Sequence, residues 1–113
     1  MASSTIQAAT LTIANLIADG QYASAIQACS GSRLTPEDIA GVIHDYGGTF
    51  VRLPPDFGDF LDVVAIEGRS PRAWSVRTPL WTLEEGRSDL TLELTVAVKG
   101  NESCVELDDL KVM

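Results

Sequence analysis

The strongest constraint on this chain lies in its run Arg72–Val98, where two alternating stretches, Ala73–Thr82 and Asp89–Lys99, flank the charged turn Glu84-Glu85-Gly86-Arg87. In the second stretch Leu90, Leu92, Leu94, Val96 and Val98 fall on one side and Asp89, Thr91, Glu93, Thr95 and Ala97 on the other. A period of two is the signature of a strand, and an apolar side opposed to a polar one marks a sheet wetted on one face. Such a sheet needs a cover for its dry face.

The N-terminal half supplies helices to make that cover. Ile6, Ala9, Ile13, Leu16 and Ile17 recur at helical spacing before Gly20, which predicts a helix over Thr5–Ala18. A second short helix is expected over Tyr22–Cys29, ending in the turn Ser30-Gly31-Ser32. The third, Pro36–Tyr46, carries Thr35 as N-cap, Pro36 at its first position, Glu37 and Asp38 in its positive first turn, and Gly47-Gly48 at its end. After an extended piece at Thr49–Leu53 and the breaker Pro54-Pro55-Asp56, the period changes from 3.6 to two. Strands are predicted near Phe60–Glu67, Ala73–Thr82, Asp89–Lys99 and Ser103–Val112, and a parity slip between Leu107 and Leu110 predicts a bulge at Asp108-Asp109. The expectation is one α+β domain over residues 1–113. Its helices, within 5–46, pack on one face of a curved four- to five-stranded antiparallel sheet, a meander within 49–113.

Composition narrows the partners. The chain's 113 residues suffice for one core, and 45% apolar with 21% charged residues argues against disorder. Sixteen acids against eight bases give a net charge of −8, which repels phosphate backbones and makes nucleic acid an unsuitable partner. The same field suits a basic protein partner. No apolar run is long enough to span a bilayer and no signal peptide is evident, so a cytoplasmic monomer or homodimer with no membrane partner is expected. Cys29 and Cys104 are expected as free thiols.

Chemistry-bearing motifs are few. His44 is the single histidine, which removes schemes that need two imidazoles. Asp56, Asp59 and Asp62 do not follow the spacing of an EF-hand loop, and Ser75, Ser88 and Ser103 lie in no nucleophile elbow. No metal, cofactor or catalytic residue is therefore assigned. Trp74 and Trp81 have opposite parity: with Trp74, Val76 and Leu80 inward, Arg77 and Trp81 form an outer strip beside Glu93, the residue types of an interface anchor. Glu84, Glu85 and Asp89 bracket Arg87, which makes the hairpin a candidate recognition loop; structurally, Arg87 would be held by Asp89 or a cross-strand acid, and Gly86 would supply a positive φ. The binding candidates are Trp81, Arg77, Glu84, Glu85, Arg87 and Asp89. An alternative site is a pocket between helices and sheet, with His44, Tyr46, Phe50, Asp62 and Trp74 as its candidates.

Trp74-Ser75-Val76, the run from Leu80-Trp81-Thr82 through Glu84-Glu85-Gly86-Arg87-Ser88-Asp89-Leu90-Thr91-Leu92, and the ending Val105–Val112 together resemble a family of small uncharacterised bacterial proteins. That resemblance implies no activity and carries no catalytic residues. The phrase Ile17-Ala-Asp-Gly-Gln-Tyr22 is similar to the helix-turn of the cystatin-like, nuclear-transport-factor-type cone, which implies helices on a curved sheet around a pocket. The functional expectation is a non-enzymatic binding protein, an adaptor or immunity-type partner, acting through the exposed sheet face and the 84–89 hairpin. Its alternative is a small-molecule binder or weak enzyme.

Overall fold

A computed structural model describes residues 2–113, with side chains from Ser4 onward. Two helices, α1 (Ala2–Ala18) and α2 (Tyr22–Gln27), are followed by a short strand β1 (Gly31–Ser32), a third helix α3 (Pro36–Tyr46) and a short strand β2 (Phe50–Val51). A 3-10 turn at Phe57–Phe60 then leads into the long strands β3 (Asp62–Ile66), β4 (Ala73–Thr82), β5 (Gly86–Lys99) and β6 (Glu102–Val112). The protein is α+β, with a mixed sheet in the order β1-β6-β5-β4-β2 that curls into half a barrel, and β3 lies beside β2 on the free side of β4.

The helix ends follow from local chemistry. Gln21 N–H donates to Leu16 O and Gly20 N–H to Ile17 O, which closes α1 in a Schellman arrangement. Asp19, unfavourable at a negative helix C-terminus, is gripped by Arg52 through Nε–Oδ1 at 3.2 Å and Nη2–Oδ2 at 2.6 Å. At α3 the expected cap is a full capping box: Thr35 Oγ1 accepts from Asp38 N–H, and Asp38 Oδ2 accepts from Thr35 N–H.

The antiparallel meander accounts for β3 to β6, but the sheet is mixed because β1 pairs parallel with β6, Gly31 opposite Glu106 and Ser32 opposite Leu107. Ser30-Gly31-Ser32 has the composition of a turn. Its strand character comes from outside, as Ser30 and Arg33 N–H donate to Val105 O and Leu107 O at 2.7 and 2.9 Å. The bulge expected in the last strand is present: Glu93 pairs with Asp109 and Leu94 with Leu107, leaving Asp108 as the extra residue.

A second irregularity lies between Pro79 and Trp81, where β5 slips against β4. Pro79 has no N–H to give, and it falls where pairing on its other side is also interrupted, since β3 pairs β4 as far as Arg77 and β2 begins at Trp81. The Ser88 hydroxyl repairs the ladder there. It donates to Leu80 O at 2.8 Å and accepts from Leu90 N–H at 3.1 Å.

α1 packs against β4, β5 and β6, α2 against α1 and α3, and α3 also reaches β6. The core formed there contains Ile6, Ile13 and Ile17 of α1, Ile39 of α3, Val76 and Leu80 of β4, and Leu90, Leu92, Leu94 and Val96 of β5. Each of these β5 side chains is fully buried, which stabilises the fold by roughly 1.5–3 kcal/mol per side chain before entropy is counted. The polar parity partners Thr91, Glu93 and Thr95 pair with Pro79, Arg77 and Ser75 on the opposite face.

Candidate functional site

The outer strip predicted on β4 forms one wall of an open groove of about 320 Å³, lined among others by Phe60, Asp62, Arg77, Arg87, Asp89 and Thr91. The register explains the grouping: Asp62 lies opposite Arg77, Pro79 opposite Thr91, and Trp81 opposite Arg87. Phe60 comes from the 3-10 turn and reaches the same place. Its ring sits 5.5 Å from Trp81 in an edge-on arrangement at 69°, with the Arg87 guanidinium carbon 4.7 Å from its centroid. An exposed cation over an aromatic ring is worth about 0.5–1 kcal/mol.

The two groove arginines are in different states. Arg77 Nε lies 2.9 Å from Glu93 Oε2, and Lys111 Nζ lies 3.9 Å from Glu93 Oε1 and 3.7 Å from Asp109 Oδ2. The Arg77 N–H is not aimed along a hydrogen bond, so Glu93 Oε2 is buried without a hydrogen-bond partner among the described residues. Arg87 makes no ion pair with a described residue. Asp89 and the cross-strand acids do not hold it as expected; its guanidinium lies over the Phe60 ring instead. Trp81 is half-buried rather than open, shielded by Phe60 and packed against the core.

The hairpin tip is committed to internal bonds. Glu84 accepts from Thr49 N–H and Thr49 Oγ1, both at 2.8 Å, and these donors hold its carboxyl below the usual glutamate range. Tyr46 O–H donates to Glu85 Oε1 at 2.7 Å and accepts from Asp89 N–H at 3.1 Å; the bond to Glu85 pushes the phenol pKa up. Gly48 has φ +87°, and a Cβ there would come within 3.2 Å of Glu84 Oε1. Glu84 and Glu85 thus latch the hairpin onto the α3–β2 link. Gly86 has the positive φ the turn was expected to need, +75°. The sequence signals Gly47-Gly48 as a helix stop, but nothing local announces Thr49 as the receiver of a carboxylate 35 residues away.

The alternative pocket candidates do not converge. The Tyr46 and Phe50 rings meet at 5.8 Å, tilted by 55°, and Tyr46 borders a cleft of about 300 Å³ with Gly47, Gly48, Thr82, Glu84 and Glu85. Asp62 lies in the outer groove instead, and Trp74 is half-buried with Arg72 at 5.5 Å. The His44 side chain is 90% exposed beside Asp45, in the solvent-facing last turn of α3. Among the described residues no group of three or more His, Cys, Asp or Glu is placed to hold a metal ion. Cys29 and Cys104 are free thiols, Cys29 half-buried with its pKa raised by desolvation and Cys104 exposed. Among the described residues no helix is long and apolar enough to cross a membrane.

Fold and groove together define a small α+β protein whose half-barrel sheet carries an open, mixed-charge groove. The chain belongs to the family described as a domain of unknown function, DUF7668, whose model matches residues 14–113. Comparison with curated proteins and with solved structures gives no match.

Proposed function

We propose that the protein is a non-enzymatic interaction module, of the adaptor or immunity type, that binds a protein partner through the outer face of its sheet. The observation that carries this reading is the Phe60–Arg87–Trp81 cluster at the groove. An arginine with no internal ion pair, held over one aromatic ring beside another, is the chemistry of an interface hot spot. The aromatic contact limits the guanidinium's freedom before binding, which lowers the ordering cost that an arginine otherwise brings to an interface. Asp62 and Asp89 beside it accept donors, and the net charge of −8 draws a basic partner. The hairpin contributes Asp89 and the position of Arg87, while Glu84 and Glu85 hold it in place. Acting at neutral pH, such a surface needs no catalytic group.

Selection of a displayed peptide library on the wild-type protein tests this, with Arg87→Ala and Phe60→Ser as counter-screens. Selected peptides should be rich in Lys and Arg with a carboxylate or apolar anchor, and should lose at least tenfold in affinity on either variant while the melting temperature holds. Binding indifferent to both changes contradicts the proposal. The curl of the sheet favours a second reading, a nuclear-transport-factor-type cone that takes a small molecule near Tyr46 and Phe50. A ligand-dependent rise in melting temperature abolished by Tyr46→Phe would support that reading instead.

A further inference from the structure

We infer that β3 is a strand-addition edge whose occupant is β3 of a second copy of this chain, paired antiparallel about a two-fold axis at Val64. β3 pairs with β4 along one edge, from Asp62 opposite Arg77 to Ile66 opposite Ala73, and no described strand pairs with its other edge. An open edge presents a row of unpaired backbone donors and acceptors, and monomeric proteins blunt such edges with Lys, Pro, bulges or covering loops. Asp62-Val63-Val64-Ala65-Ile66 has no Lys, Pro or bulge, and four of its five residues are exposed. Val63 and Val64 are 41% and 57% exposed although they point to opposite faces, so the strand is apolar on both sides as well as open at its edge.

The charges flanking the strand select the second copy and its direction. Asp56, Asp59 and Asp62 precede or open β3, whereas Arg69 and Arg72 follow it with only Glu67 between. Asp56, Asp59, Arg69 and Arg72 make no ion pair with a described residue. An antiparallel two-fold lays the acidic end of one strand beside the basic end of the other at both ends of the ladder; a parallel pairing would set acid beside acid. With Val64 opposite its own copy, Val63 faces Ala65 and Asp62 faces Ile66, a ladder about 17 Å long. Because Asp62 also lines the outer groove, the two-fold brings two grooves side by side.

The test joins oligomeric state to register. Sedimentation of the full chain at concentrations on the order of 100 µM, where small interfaces assemble, should show a species of twice 12.1 kDa. Val64→Lys should return it to monomer, with a melting temperature equal to wild type when both are compared at concentrations too low for the dimer to form, and Asp59→Arg should weaken the dimer until Arg69→Asp is added. In a background of Cys29→Ser and Cys104→Ser, Val64→Cys should form a disulfide-linked dimer under mild oxidation, since paired strands hold opposite Cα atoms within disulfide range; Val63→Cys should not. A monomer throughout, a dimer that survives Val64→Lys, or equal cross-linking at 63 and 64 overturns the inference.

Discussion

At the scale of single residues, Ser88 and Glu84 show how a polar side chain can serve the fold, Glu84 at a place where the sequence suggests recognition. Ser88 carries no nucleophile motif, and its hydroxyl instead satisfies Leu80 O and Leu90 N–H inside the β4–β5 slip. Ser88→Ala leaves both buried groups without that partner and should destabilise the protein by about 1–3 kcal/mol, read from urea midpoints at constant slope. Glu84 has a depressed pKa because Thr49 N–H and Oγ1 donate to its charged form. A group depressed in the folded state stabilises fully above its unfolded value of about 4.3 and loses that contribution as pH falls through its lower folded value. The stability gap between wild type and Glu84→Gln should therefore be largest near neutrality and shrink below about pH 4; a gap constant with pH would show that the latch is not electrostatic. Trp81 was legible as an outer-face residue from parity, and Arg87 only as part of a candidate recognition loop. Phe60, which holds both, was not, because the 3-10 turn that aims it has no period to detect.

Among the elements, legibility tracks how local the determining physics is. α3 and β4 match their predicted bounds, since Thr35, Pro36 and the Gly47-Gly48 stop act within one turn, and the alternation of β4 acts within one strand. The Asp108 bulge was equally readable, because an extra residue shifts apolar parity along the strand itself. β1 was not: two residues of turn composition become strand only because β6 is beside them, and sequence spacing cannot show a partner 75 residues distant. Thr35→Ala tests the local account of α3. It removes the acceptor for Asp38 N–H and should cost about 1 kcal/mol in thermal or urea unfolding, with Thr35→Ser recovering most of it. No loss on Thr35→Ala would mean that packing of Ile39 alone sets the helix start.

For the whole molecule, the curl of a mixed sheet around α1 buries one set of β5 side chains, and on the opposite face Thr91 lines a groove that β4, β5 and the 57–60 turn build jointly. Alternation in the sequence announced two faces, but the groove depends on Phe60 crossing to Arg87 and on Asp62 reaching Arg77, both tertiary facts. The Glu84 and Glu85 latch fixes the hairpin, and the proposed interaction would draw its affinity from Arg87 and the aromatic pair. The most direct test places a photo-cross-linking residue at Asp89, whose exposed side chain borders the groove, and at His44, exposed elsewhere, in the protein expressed in its native cells. A discrete cross-linked protein product is expected from position 89, absent from position 44 and lost when Arg87→Ala is added. No product at 89, or the same products from both positions, would contradict an interaction face at the groove.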